Sequence, residues 1–158
     1  MFSRRKIGIL GGTFNPPHYG HLHIAQAVYE ALQLDEVRFM PAATPPHKQK
    51  DESVTNENRF EMVRRAVQPY ENFHPFSFEI ERGGTSYTYD TMRLLTEREP
   101  DVDFYFIIGG DMIDSLSTWY KIDELMKMVR LVGVYRPGTT SQTNEPIAYV
   151  EAEPMDVA

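Results

Sequence analysis

The chain has 158 residues, a net charge of −7 and no cysteine, a length typical of one domain that buries about 70% of its unfolded surface. The absence of cysteine excludes a disulfide framework, a thiolate metal site and a cysteine nucleophile. The acidic balance argues against nucleic acid as a partner, and no apolar run approaches the roughly 20 residues of a membrane span. The basic N-terminus leads into a glycine-rich segment without a cleavage site, so we expect a cytoplasmic protein.

The first half of the chain alternates strands with helices. An apolar run over residues 6–10 predicts a strand buried on both faces, and the apolar stripe over residues 19–34 predicts a helix. A second strand is predicted over residues 36–40 and a second helix over residues 55–68, with Thr55 as its N-cap. Between them lies a polar, proline-rich segment, residues 41–53, whose motion on ligand binding the sequence leaves open.

The second half continues the alternation. The pattern predicts strands over residues 76–80, 103–108, 130–135 and 147–150. It predicts a helix capped by Thr85 or Ser86, and short helices over residues 112–116 and 122–128. We therefore predict one α/β domain over residues 1–158, a Rossmann-like parallel sheet with helices on both faces. In such folds, ligands bind beyond the carboxyl ends of the strands.

The segment that follows the first strand, GGTFNPPHYGH, predicts an anion site. Gly11 and Gly12 allow the backbone to approach a ligand, and the helix that begins nearby presents N–H groups to phosphate. His18 and His21 stand one turn apart, so both imidazoles can donate hydrogen bonds to phosphate oxygens. One alternative is that both rings pack in the core. Metal ligation is another, for which no third ligand stands at a suitable spacing.

The same segment resembles the signature of the nucleotidyltransferase superfamily with a (T/H)-x-G-H motif, here His18 to His21. Four further segments, PPHK, SYTYDT, FIIGGD and the Trp119-Tyr120 pair, resemble bacterial nicotinate-nucleotide adenylyltransferases over nearly the whole chain. Those enzymes join nicotinate mononucleotide to ATP and release pyrophosphate. The resemblance implies a nucleotidyltransferase-type fold, these two small-molecule substrates, and Mg²⁺ carried by the triphosphate without a metal site made by the protein.

The resemblance also implies a role for each matching residue. Those that would bind ATP are Gly11, Gly12, Thr13, Phe14, His18, His21, Gly109, Asp111 and Arg136, with His18 and His21 as the catalytic pair. Those that would bind the acceptor nucleotide are Asn15, His47, Lys48, Thr88, Trp119 and Tyr120.

Several of these residues have structural alternatives. Trp119 is alternatively a core aromatic, Lys48 a solvated surface lysine and Asp111 a helix cap. Tyr87 and Tyr89 are predicted to pack and not to bind a ligand.

Members of the resembled family continue beyond the region matched here. They carry an I-S-S-T-x-x-R-type segment that clamps the ATP phosphates, and then a C-terminal helical region, whereas this sequence ends at Ala158. From this we expect the same chemistry with weaker ATP binding, in a fold without its C-terminal helical part.

The sequence leaves alternatives to this function. They are a related transferase with phosphopantetheine or glycerol phosphate as acceptor, a weakly active nucleotide-binding fragment, and an oxidoreductase, which the missing glycine fingerprint disfavours. The preference for an acid or an amide acceptor and the formation of a homodimer also stay open.

Overall fold

The computed structural model describes residues 4–43, 55–84, 87–135, 143 and 145–152. Within these ranges, six strands form one parallel sheet: β1 Arg5–Gly12, β2 Glu36–Pro41, β3 Phe73–Pro75, β4 Val102–Ile108, β5 Arg130–Tyr135 and β6 Ala148–Glu151. Their order in the sheet is β3-β2-β1-β4-β5-β6. The order reverses between β1 and β4, which is where a doubly wound sheet opens a crevice for ligands.

Helices cover both faces of the sheet, as the sequence predicts. They are α1 Tyr19–Ala31, α2 Asn56–Val67, α3 Phe78–Arg82, α4 Thr88–Arg98, α5 Gly110–Ser115 and α6 Ile122–Met128. Apolar residues of α1 and α2 share one core cluster with the sheet, and those of α4, α5 and α6 share the other. No helix in the described ranges is long and apolar enough to cross a membrane.

Strand β1 contributes to both clusters because its side chains alternate across the sheet. Ile7 and Ile9 pack on the α4 side, and Leu10 packs on the α1 side. Leu10 lies opposite Phe39 of β2 and Ile107 of β4, and Ile7, Ile9 and Leu10 are all buried, so the strand is covered on both faces. This explains why the run over residues 6–10 is uniformly apolar.

The strand predicted over residues 76–80 is wrong. The third strand is the three-residue β3, and the FSFEI segment leads into helix α3. Glu79 of α3 is buried and accepts a 2.6 Å hydrogen bond from the Thr91 hydroxyl of α4, and its burial raises the pKa of Glu79.

Most other boundaries agree with the prediction to within three residues. Helix α1 ends at Ala31, before the predicted residue 34, and Gln33 then adopts a left-handed φ of 54°. Thr55 is confirmed as the N-cap of α2, since its side chain accepts a 3.0 Å bond from the Asn58 N–H. The N-cap of α4 is Tyr87; Thr85 and Ser86 lie outside the described residues.

A polar network joins β2 to the C-terminal end of α4. The Arg38 guanidinium donates to both carboxylate oxygens of Glu99, at 2.7 and 2.9 Å, and lies 3.4 Å from Glu36. It also lies over the Phe76 ring, 4.9 Å from its centroid. The hydrogen bonds from Arg38 lower the pKa of Glu99. This network belongs to the packing between β2 and α4, away from the loop that follows β1.

Candidate active site

The segment between β1 and α1 is held in an unusual backbone conformation. Phe14 has a φ of 51°, in the left-handed region that a residue with a side chain rarely adopts, and its ring is only 2% exposed. The next peptide bond but one, between Asn15 and Pro16, is cis. The chain then reaches His18, the N-cap of α1, so one short segment joins the end of β1 to the start of the helix.

His18 and His21 cap this helix with their own rings. The Gly20 N–H donates to Nδ1 of His18, and the His18 N–H donates to Nδ1 of His21, both at 3.0 Å. A neutral imidazole that accepts a hydrogen bond at Nδ1 carries its proton on Nε2. Each neutral ring therefore offers one N–H donor from Nε2, a group suited to a phosphate oxygen.

The two rings are stacked on each other, and Phe14 packs edge-on against His21. The His18 and His21 centroids are 3.8 Å apart, and the Phe14 ring meets His21 edge-on at 4.7 Å. His18 is exposed and His21 is half-buried between His18 and Phe14. The alternative in which both rings pack in the aliphatic core therefore does not hold. A Cβ on Gly20 would lie 2.8 Å from Cε1 of His18, so glycine is needed for this arrangement.

The position of His21 fixes its charge. Burial, and next the neighbouring His18, lower the pKa of His21 from 6.5 to about 4. The ring is consequently neutral at pH 7, and it acts there as a neutral Nε2–H donor and not as a cation.

This shift predicts a pH-dependent stability. Between pH 6.5 and about 4, the unfolded chain protonates His21 while the folded chain does not, so the folded state loses stability as the pH falls through this range. An H21N variant removes this contribution. We expect urea unfolding at pH 7 and pH 5 to show a smaller loss of stability in H21N than in the wild type. An equal loss in both proteins would contradict the assigned shift.

The end of β4 lies beside that of β1 and is open. Gly109 is the N-cap of α5, without a side-chain cap, and a Cβ built on it would meet no atom within 4 Å. Asp111 lies in the first turn of this helix, but its side chain is outside the described part of the structure. The exits of β1 and β4 thus form the two walls of the crevice at which the strand order reverses.

A second recess contains three residues predicted to bind the acceptor. Thr88, Trp119 and Tyr120 line a cleft of about 260 Å³ together with Tyr87 and Thr118. Tyr87 packs on a neighbouring aromatic at the surface, since it is 54% exposed and its ring lies 4.6 Å from that of Tyr120.

Trp119 connects this recess to the sheet. Its ring meets Phe106 of β4 edge-on at 6.3 Å and is partly exposed, so it is not a fully buried core aromatic. Helix α4 begins at the same cleft, and its N-cap makes no side-chain hydrogen bond. Its first N–H groups are therefore not capped by that side chain, which suits a carboxylate.

Some predicted site residues cannot be placed. His47, Lys48 and Arg136 lie outside the described residues, as does most of the segment 41–53. Asn15 is exposed in the turn between β1 and α1. Among the residues that the structure describes, no group of three or more His, Asp or Glu side chains is arranged to hold a metal ion.

One buried residue at this site, Arg59, was not predicted from the sequence. Arg59 of α2 is 1% exposed and donates to the Thr13 carbonyl oxygen at 2.6 Å. Its position in the amphipathic pattern of α2 carries no sign of this contact, because the partner lies 46 residues away in the chain.

Comparison with known proteins places the chain among transferases. The cytidylyltransferase-like family model matches residues 9–156. A probable nicotinate-nucleotide adenylyltransferase of Lactiplantibacillus plantarum is 51% identical over 154 residues, which are 98% of this chain and 73% of the relative. One of the same name from Bacillus cereus is 54% identical over 147 residues, covering 93% of this chain and 78% of the relative.

Solved structures show the same fold. The Plasmodium falciparum nicotinic acid mononucleotide adenylyltransferase, solved in complex with NaAD, superposes with a TM-score of 0.76 at 18% identity, over 98% of this chain and 77% of that one. A putative nicotinate-nucleotide adenylyltransferase from Vibrio parahaemolyticus gives a TM-score of 0.66 at 24% identity, over 82% and 76% of the two chains.

Proposed function

Because this chain belongs to the nicotinate-nucleotide adenylyltransferase family, we propose that it joins nicotinate mononucleotide to the adenylyl group of ATP. The products are deamido-NAD and pyrophosphate. The stacked pair of His18 and His21 at the exit of β1 carries this proposal, since it offers neutral N–H donors beside the crevice between β1 and β4.

We assign ATP to this crevice. The triphosphate would lie on the backbone of residues 11–14 and on the Nε2–H groups of His18 and His21, near the start of α1. The adenosine would lie toward Gly109, where the open space at the N-cap leaves room for it, with Asp111 on the ribose hydroxyls. We assign Arg136 to the triphosphate from the family resemblance alone.

The acceptor is assigned to the recess around Trp119. Its nicotinate ring would stack on the indole, and its carboxylate would accept hydrogen bonds from backbone N–H groups near Thr88 and Tyr120. The phosphate of the mononucleotide would then point toward ATP, with Lys48 as its ligand by family resemblance, and the same resemblance assigns Asn15 and His47 to the acceptor.

The proposed reaction is one in-line displacement. A phosphate oxygen of the acceptor attacks the α-phosphorus of ATP, the bond to the bridging oxygen of the β-phosphate breaks, and pyrophosphate leaves with the electron pair. The nucleophile is already an anion, so no side chain has to remove a proton. The protein contributes alignment of the two substrates, and the two Nε2–H groups stabilise the charge that develops on the phosphate oxygens.

The described donors of the crevice are N–H groups, which match phosphate oxygens and not a metal cation. We propose that Mg²⁺ enters with ATP as part of the substrate, held by phosphate oxygens and water. We also propose that the reaction takes place in the cytoplasm.

Acceptor choice tests this function. With ATP saturating, pyrophosphate release is expected with nicotinate mononucleotide and at a much lower kcat/KM with nicotinamide mononucleotide, because the amide cannot place a negative charge at the start of α4. Phosphopantetheine and glycerol phosphate, the latter with CTP, are the control acceptors. Equal turnover of nicotinate mononucleotide and nicotinamide mononucleotide would contradict the assignment of the acid as the acceptor. ATP binding without transfer to any acceptor would instead support the weakly active fragment.

A further inference from the structure

Arg59 is a buried cation at the edge of the proposed phosphate site. It lies at the end of the first turn of α2, is 1% exposed and is among the largest fully buried side chains in the described part of the chain. Nothing in the proposed chemistry above uses it. A guanidinium at such a depth loses hydration, and burial accordingly lowers the pKa of Arg59. Its hydrogen bonds have to offset that loss.

Those bonds join two separate segments at the carboxyl edge of the sheet. One terminal nitrogen, Nη1, donates to the carbonyl of Thr13, which follows β1, at 2.6 Å. The other, Nη2, donates to the carbonyl of Ala42, which follows β2, at 2.5 Å, and to Oδ1 of Asn56 at 2.6 Å. The Ala42 N–H also donates to the Gly12 carbonyl at 2.9 Å, so the two segments are linked twice.

The bond to the Thr13 carbonyl determines where the Phe14 N–H of the same peptide unit points. In a trans peptide, the C=O and the N–H point in opposite directions. Since the Thr13 carbonyl points at Arg59, the Phe14 N–H of that unit points away from the buried guanidinium. Phe14 also has the unfavourable φ of 51°, a conformation that persists only where surrounding contacts hold it. Arg59 supplies one such contact from inside the protein.

The positive charge of Arg59 would also favour binding of a phosphate group. The whole chain carries −7, and the pKa of His21 is too low for that ring to be a cation at pH 7. A guanidinium behind the segment 11–14 places positive charge close to the site assigned to the triphosphate, where screening by water is weak.

We propose that Arg59 is a positioning residue for ATP: it holds the Thr13 and Ala42 carbonyls inward, so that the backbone of residues 11–14 presents its N–H groups to the triphosphate over a fixed positive charge. The proposal rests on the assignment of ATP to this crevice. Arg59 does not touch the substrate, and its effect is transmitted through the Thr13 peptide.

Two substitutions test the proposal. R59M removes the positive charge and the hydrogen bonds to the Thr13 and Ala42 carbonyls. R59K keeps the charge, but lysine has no planar guanidinium and cannot bind both carbonyls in the same way. We expect R59M to raise the KM and the equilibrium Kd for ATP about tenfold and R59K to raise them less, because the peptide that R59M releases no longer holds its N–H toward the phosphates. The KM for the acceptor should change less than that for ATP.

The matched control is R38M. Arg38 is also an interior arginine with bidentate bonds, but its partners belong to the network with Glu99. R38M is expected to lower Tm while leaving the ATP constants of the folded protein unchanged. This comparison separates positioning from a general loss of stability.

ATP binding tests the role of Arg59 even if the protein catalyses no transfer. A wild-type Kd for ATP in folded R59M and R59K, measured by calorimetry, would overturn the proposal. If R59M does not fold, R59K alone decides in the same way. If the wild type binds ATP but transfers to no acceptor, the proposed function fails while the ATP affinities still decide the role of Arg59.

Discussion

An H21N variant is expected to keep its fold and to lose about 10²- to 10³-fold in kcat. The asparagine Oδ1 occupies the place of Nδ1 and can still accept the hydrogen bond from the His18 N–H. The Nε2–H donor, in contrast, has no counterpart in asparagine. Because that donor is assigned to charge that develops during transfer, kcat should fall more than the affinity for ATP. Steady-state kinetics and a melting curve measure both effects.

The complementary control is H21Q. The glutamine amide nitrogen reaches approximately the place of Nε2, but the side chain has no acceptor at the place of Nδ1. We expect H21Q to regain part of the lost kcat and to lower the stability of the protein by about 1 kcal/mol, as removal of a helix cap does. If H21N retains wild-type kcat with its fold intact, the catalytic assignment of this ring is wrong.

Replacement of Trp119 by alanine is expected to raise the KM for nicotinate mononucleotide about 10- to 100-fold, from the loss of about 1–3 kcal/mol of stacking. The KM for ATP should stay close to that of the wild type, since ATP is assigned to the crevice between β1 and β4. W119F retains an aromatic face and should recover part of the affinity.

Two further measurements sharpen this prediction. Trp119 is the single tryptophan of the chain, so quenching of its intrinsic fluorescence by the mononucleotide reports binding directly. Y149A removes an exposed aromatic ring on β6 that packs against Tyr135, and it should leave the KM for the acceptor unchanged. Equal effects of W119A and Y149A, or acceptor binding without a fluorescence change, would reject the stacking role.

The alternation of strands and helices was predictable because each long element carries its own periodic pattern. Helix α2 and strand β5 were located to within one residue of their observed ends. Strand β3 was not, because a three-residue edge strand is too short to show a period. In helix α3, the buried Glu79 is satisfied by Thr91, and a single sequence cannot reveal a bond between two elements that have not yet been paired.

In the candidate site, too, local features were predictable from the sequence and contacts between distant segments were not. The strand, turn and helix that carry His18 and His21 follow from local sequence, since glycine, proline and helix-capping preferences act over a few neighbouring residues. The stacking of the two rings on each other, the edge-on contact of Phe14 with His21, the neutral state of His21 and the position of Arg59 behind Thr13 arise only in the folded protein. Burial and contacts between distant segments determine these properties, and both exist only after the chain has folded.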